Sequence, residues 1–447
     1  MGRFWAAFVV AVFLPPAALA ETGRVSTFAL PNGLQGVVIE DNRAPVVTHM
    51  LWYRAGAADE PVSKSGLAHF VEHLLFKGTR NLGPGAFDRI IRENGGQGNA
   101  FTSYDYTGYF QRVARDRLSL MMQLEADRMV NLVLDEEIVR IERDVVLEER
   151  TTRTDSDPGA LLSEHRRAAQ FMNHPYGLPI IGWRHEIEDL SLHDALDFYK
   201  TYYAPNNAIL IVAGDVTPEE VKVLAEEYYG HLPRSETLPE RVRPQEPPQI
   251  SPRRLTYSDP RERQPYLVRS YLAPNRASGA QAGAAALTML SYILGGTGVT
   301  SLLGEELQIN RNTAVFSRAW YSGTSLDPDS FVIYAQPRPG VSLQELEDAI
   351  DAVIADLIAN GFEAGKLDRL KARMRAEDIY KLDNHAGRAR TYGRALTTGL
   401  TVEDVQSWPE ILQAVTRKDI MAAAAKVFDI NKSVTSWMVV DGWENSP

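Results

Sequence analysis

The chain has 447 residues, 44% of them hydrophobic, which is enough for more than one domain with its own core. A net charge of −11, with no basic patch above that acidic background, excludes nucleic acid as the main partner. Cysteine is absent, so disulfides, thiolate metal sites and cysteine nucleophiles are excluded, and any metal must be held by histidine and carboxylate.

Residues 1–20 read as an export signal. Arg3 supplies a short charged region, Phe4 to Leu14 is an unbroken apolar run closed by Pro15-Pro16, and Ala18-Leu19-Ala20 predicts cleavage after Ala20. The run is too short to span a membrane permanently, and no cysteine is available to carry a lipid. The mature protein is therefore expected outside the cytoplasm, with no stable membrane anchor.

Apolar runs at Gly36 to Ile39 and Val46 to Tyr53 read as strands. The following segment reads as a helix with two contrasting stripes at about 100° per residue. Leu67, Phe70, Val71 and Leu74 form the apolar one; His69, Glu72, His73 and Phe76 gather opposite. Histidines at i and i+4 can both reach one Zn²⁺, and a glutamate just before the second can deprotonate a metal-bound water. This H-x-x-E-H order is the inverse of the commoner H-E-x-x-H zinc helix.

Next, Gly95-Gly-Gln-Gly98 is a flexible turn from which Asn99-Ala-Phe-Thr102 can begin a strand abruptly. From the residues alone this is a plain sheet strand with Phe101 in the core. Two histidines leave a tetrahedral zinc one protein ligand short. The helix expected over Glu136 to Arg153 carries Glu137, Glu142, Asp144, Glu148 and Glu149. Glu142 and Glu149 differ from the others because i and i+7 share a face, with Val145 and Val146 between them. One of the two can bind metal while the other supports the site from behind.

Tyr203-Ala-Pro-Asn-Asn207 and the strand Ala208 to Asp215 close the first half. Pro233, Pro239, Pro244, Pro247, Pro248 and Pro252 then forbid regular structure and mark a linker. The second half repeats the plan, with a strand over Gln264 to Tyr271, a helical run over Ala280 to Leu294 and a final strand from Ser433 to Val440 that reaches Asp441-Gly442. The predicted fold class is α+β, with two homologous domains, each an antiparallel sheet covered by helices on one face, joined by a Pro-rich linker. The expected boundaries are 21–232 for the catalytic domain, 233–254 for the linker and 255–447 for its homologue.

Several stretches resemble the pitrilysin/insulinase-type zinc endopeptidases, which include mitochondrial processing peptidases and small bacterial members. Gly66-Leu-Ala-His-Phe-Val-Glu-His-Leu-Leu-Phe-Lys-Gly-Thr79 is similar to the family's zinc helix, and Gly98-Asn-Ala-Phe-Thr-Ser103 to its substrate strand. Glu142-Arg-Asp-Val-Val-Leu-Glu-Glu149 is similar to the helix bearing the third ligand; His174-Pro-Tyr-Gly177 and Ile181-Gly-Trp183 are also family-like. The resemblance implies one Zn²⁺ per chain held by His69, His73 and Glu149, with Glu72 as general base and Glu142 as the supporting acid. The residues alone do not separate Glu148 from Glu149; helix phase pairs Glu149 with Glu142, and the family agrees. It also implies that Asn99, Ala100, Phe101 and Thr102 form an exposed edge to which an extended peptide adds.

The second half departs from the family pattern. Self-contained members carry an Arg and, seven residues on, a Tyr that stabilise the oxyanion, where this chain has Gln308 and Val315. Arg311 and Tyr321 are nearby but wrongly spaced from each other. The expectation is a periplasmic zinc endopeptidase of extended or unfolded peptides, acting as the metal-bearing subunit of a hetero-oligomer whose homologous partner supplies the Arg/Tyr pair. The alternatives are a non-catalytic peptide-holding or assembly protein on the same fold, or a self-sufficient homodimer using Arg311 with a Tyr that the sequence does not identify.

Overall fold

The computed structural model describes residues 23–381, 383–440 and 443. The expected export signal and the Asp441-Gly442 turn lie outside the described residues. Among the described residues, no helix is long and apolar enough to cross a membrane.

The first half is built on β1 (Val25–Ala29), β2 (Gln35–Glu40), β3 (Val46–Tyr53), β4 (Gln97–Thr102), β5 (Thr107–Ala114) and β6 (Ala208–Gly214). They lie in the order β1-β2-β6-β3-β5-β4. The second half is built on β7 (Arg253–Ser258), β8 (Tyr266–Ala273), β9 (Ala314–Tyr321), β10 (Asp329–Pro337) and β11 (Ser433–Val439), in the order β7-β11-β8-β10-β9. Pairing is antiparallel throughout except once in each sheet, where β2 runs parallel to β6 and β7 parallel to β11. The exception has one cause in both halves. A long crossover returns the chain to the middle of its sheet, and the returning strand lies beside the half's early strand in the same sense. Residues 233–252 between the halves carry neither helix nor strand.

The expected one-sided helical cover is incomplete as a description. β6, Ala-Ile-Leu-Ile-Val-Ala-Gly, is buried at every position, so both faces of its sheet need covering. One face packs on helices of its own half, among them α1 (Leu67–Leu74), α2 (Ala86–Glu93), α3 (Leu118–Val130) and α4 (Glu136–Arg150). The other face, with Met50, Trp52, Ile209 and Ile211, is covered by Ala389 and Tyr392 of the His385–Thr397 helix from the second half. Gly393 permits that approach, because a Cβ there would sit 2.1 Å from the Trp52 ring. The exchange is reciprocal. Helix α5 (Pro158–Gln170) leaves the first half and lies on the second sheet, where buried Ser270 Oγ donates to Gln170 Oε1 at 2.7 Å and Arg167 pairs with Asp329 at 3.2 Å.

Arginines of the linker bind both halves at once. Arg243 pairs with Asp59 (2.9 Å) and Asp105 (2.5 Å) on one side and with Asp327 (3.2 Å) on the other. The family-like His174-Pro-Tyr-Gly177 stretch serves the same junction, with Tyr176 donating to Asp105 at 2.7 Å and His174 Nε2 lying 3.2 Å from Asp327.

Candidate active site

Helix α1 starts where it does because of Gly66, whose φ of 90° is left-handed and whose missing Cβ would otherwise meet the Ile181 carbonyl at 2.4 Å. The Glu60 carboxylate then caps the helix, accepting from Gly66 N at 3.0 Å and Ala68 N at 2.8 Å. Leu67, Phe70, Val71 and Leu74 are buried, which fixes the rotation of α1 and sends His69, Glu72 and His73 to one side. Gly182 has the same function from the facing segment, since a Cβ there would lie 2.3 Å from the Ser65 carbonyl.

Helix α4 is capped by Asp135, which accepts from Ile138 N at 2.7 Å. Its buried stripe is Val139, Glu142, Val146 and Arg150, and Val145 is exposed. Arg150 fastens the end of α4, donating to the Gly182 carbonyl at 2.6 Å and to Glu164 at 2.9 Å. Beyond Arg150 the expected α-helix widens into a π-helical turn over Thr151–Asp155.

These supports bring His69, His73 and Glu149 together, with one ligand atom from each lying within 4.8 Å of the others. Glu149 Oε2 lies 3.8 Å from His69 Nε2 and 3.2 Å from His73 Nε2. Glu148 is exposed and stands outside this group. Glu142 Oε1 accepts from His73 Nδ1 at 2.9 Å, which fixes the tautomer and leaves Nε2 free to face the other two donors. Two imidazole nitrogens and a carboxylate oxygen are a donor set that suits Zn²⁺. His69 turns its Nε2 towards Glu149, and its buried Nδ1 has no hydrogen-bond partner. Burial, with the positive neighbours His73 and Arg153, holds its imidazole down at about 3 and so keeps it neutral.

His73 responds in the opposite direction. Burial alone would lower its pKa, but the hydrogen bond to Glu142 and the surrounding carboxylates raise it. Burial works equally against ionised Glu142, yet the bonds from His73 and Lys77 keep its carboxyl below the usual value. Glu72 is 8% exposed and sits beside the ligand group, and burial pushes its carboxyl up against the opposing pull of a hydrogen bond from Thr102.

β4 is an edge strand, paired to β5 alone. Gln97, Gly98 and Asn99 are exposed. Asn99 Oδ1 accepts from Ala100 N at 2.8 Å. Phe101 packs its ring 4.7 Å from Trp52, over Gly108, whose absent side chain makes the space. The Thr102 hydroxyl is committed to Glu72 Oε2 at 2.5 Å. Any peptide at this edge would therefore meet main chain more than the side chains of residues 101 and 102. A cleft of about 510 Å³ opens between β4 and α1, lined among others by Glu72, His73, Lys77, Ile91, Asn99 and Glu142.

Three contributors escaped the sequence reading. Lys77 Nζ lies 2.5 Å from Glu142 Oε2, a partnership that its position four residues beyond His73 could have signalled. Arg153 pairs with Glu149, again at i+4. Glu60 is separated from the helix it caps by a loop and left no local signal. In the second half, Gln308 Nε2 donates to Ser317 Oγ at 2.9 Å and Val315 is 43% exposed. Arg311 pairs with Glu306 at 3.6 Å, and the Tyr321 hydroxyl donates to the Pro274 carbonyl.

Comparison with known proteins bears on the family. Residues 36–183 match the description "Insulinase (Peptidase family M16)" and residues 189–374 match "Peptidase M16 inactive domain". The zinc protease PqqE of Helicobacter pylori is 31% identical over 415 residues, 92% of this chain and 91% of that protein. The probable mitochondrial-processing peptidase subunit beta of Schizosaccharomyces pombe is 32% identical over 216 residues, 48% of this chain and 47% of that protein. The crystal structure of a protease from Helicobacter pylori superimposes with a TM-score of 0.85 at 29% identity, covering 94% of this chain and 100% of that one. With matches across both halves, a close structural counterpart and a relative aligned nearly end to end, the chain belongs to the insulinase family of metallopeptidases, family M16.

Proposed function

We propose that the chain is a periplasmic zinc endopeptidase for extended or unfolded peptides, and that it is the metal-bearing subunit of a two-chain enzyme. One observation carries the peptidase reading: His69, His73 and Glu149 converge on a common point beside Glu72, next to a free strand edge. His69 Nε2, His73 Nε2 and Glu149 Oε2 would hold the zinc. When bound, Zn²⁺ would supply Lewis acidity, polarising the scissile carbonyl and lowering the pKa of water towards neutrality. The chain's own groups do the rest. Main-chain groups of β4 hold the peptide in register. Glu72 accepts the proton of the attacking water on its carboxylate and delivers it to the leaving amine. Glu142 keeps His73 in the required tautomer, and Lys77 keeps Glu142 ionised.

The two-chain reading rests on what occupies the oxyanion positions. Gln308 has no fixed positive charge and is turned into its own sheet, and Val315 has no hydroxyl. The homodimer alternative gains little from Arg311 and Tyr321, whose polar groups are already engaged within the chain. The expected export signal supports the periplasmic assignment. Cleavage of a quenched extended peptide, measured per bound zinc for the lone chain and for an equimolar mixture with its homologous partner, tests both readings. The lone chain should be slower by about 10²–10³-fold. A lone chain as fast as the mixture overturns the two-chain reading, and no cleavage in either overturns the peptidase.

A further inference from the structure

We propose that Thr102 is a positioning residue that links the free edge of β4 to the carboxylate of Glu72; the inference rests on the peptidase reading above. Thr102 is the last residue of β4 and pairs with Thr107. Its Oγ1 donates to Glu72 Oε2 at 2.5 Å. Among the described residues, no other hydrogen bond reaches that carboxylate.

A glutamate side chain ends in a torsion with broad preferences, so a packed helix backbone leaves the carboxylate plane undetermined. One donor at a fixed place settles it, engaging Oε2 and leaving Oε1 to take the proton. Threonine suits that task, because its branched Cβ restricts χ1 and its backbone is held by the sheet. The same strand runs back through exposed Asn99 and Gly98 to Gly96 and to Gly95, where φ is 69°. A peptide added along this edge would pair with the strand that carries the donor. Occupancy of the edge and alignment of the base are thereby joined through six residues of backbone.

The test compares Thr102→Val, which keeps the shape and loses the donor, with Thr102→Ser, which keeps the donor. All proteins are assayed zinc-loaded as full chains, with the partner present. Thr102→Val should lower kcat by about 10–100-fold, the scale of a lost hydrogen bond to a charged group. KM and zinc affinity, read by chelator competition, should each stay within about two-fold, and Thr102→Ser should recover most of kcat. A fully active Thr102→Val, or a Thr102→Ser as poor as Thr102→Val, overturns the proposal. So does a loss confined to KM or zinc affinity, which is what a purely structural role predicts. If the unmodified protein cleaves nothing, the peptidase reading falls separately, and crystal structures of the two variants decide the positioning role. The Glu72 carboxylate should turn away in Thr102→Val and hold its place in Thr102→Ser; an unmoved carboxylate in Thr102→Val overturns it.

Discussion

The two halves share a topology and divide the chemistry. β2, β6, β3, β5 and β4 of the first sheet correspond in order and sense to β7, β11, β8, β10 and β9 of the second. Yet the helix following β3 carries His69, Glu72 and His73, whereas its counterpart after β8 is Ala-Gly-Ala-Ala-Ala-Leu-Thr-Met-Leu-Ser over Ala282–Ser291. That second helix is small and apolar and is buried along most of its length. Both halves nevertheless keep a buried polar network between the strand at this position and a covering helix. In the first, His49 lies 2.8 Å from Gln111, Gln111 donates to Glu125 and Glu125 pairs with Arg128 at 2.5 Å. In the second, Arg269 of β8 pairs with Glu347 of the Leu343–Asn360 helix at 2.5 Å. The architecture thus keeps buried charge pairs in both halves, and the candidate catalytic set is carried by one copy.

The largest asymmetry expected is at Glu72. Glu72→Gln preserves shape but cannot accept a proton, so cleavage should fall by about 10²–10⁴-fold while zinc, measured by metal analysis, stays bound. No substitution along the Ala282–Ser291 helix that leaves the fold intact should do this. The networks, by contrast, should both matter to stability. Glu125→Gln leaves the buried Arg128 guanidinium without its carboxylate and should cost about 3–5 kcal/mol in chemical denaturation, whereas Glu347→Gln should cost less, because Asp351 still pairs with Arg269. A large loss in one half and none in the other would break the equivalence.

Within the ligand helix a finer ranking is expected. Glu149→Gln should lower zinc affinity sharply, Glu142→Gln should weaken affinity or activity by about 10–100-fold and Glu148→Gln should leave both near normal, as chelator competition can show. A costly Glu148 would shift the assignment by one residue. The smallest effect separates the networks by pH. Burial lowers the pKa of His49 from 6.5, so the unfolded chain binds the proton more readily than the folded one. The stability this residue permits is complete above about pH 6.5 and is withdrawn as pH falls below it towards the depressed folded value. His49→Gln should flatten the fall between pH 7.5 and pH 5.5, whereas the arginine-based network of the second half should contribute no slope there.

Much of the local structure was legible because it depends on neighbours in sequence. The strand Val46–Tyr53 shows as an apolar run bounded by turns. The phase of α4 turns Glu142 and Glu149, and not Glu148, towards the imidazoles. Contacts across long separations left no such trace. The Thr102 hydroxyl on Glu72 depends on how α1 and β4 meet in space. The exchange of helices was hidden for the same reason. The unbroken apolar run of β6 is buried on both faces, where the sequence pattern predicts cover on one, and nothing in that run says that the second cover arrives from residues 385–397.

That exchange changes what cutting the chain would do. Each half lends the other a helix, so a protease that severs residues 233–252 removes the covalent tie and leaves both loans in place. The pieces should remain associated through sizing chromatography, held by Trp52 against Gly393 and Gln170 against Ser270. Ribosomal synthesis has the opposite difficulty. The first half emerges with one sheet face bare and stays incomplete until the distant helix has been made. A protein of this design therefore depends on keeping its early half from sticking to others while its own cover is still to come.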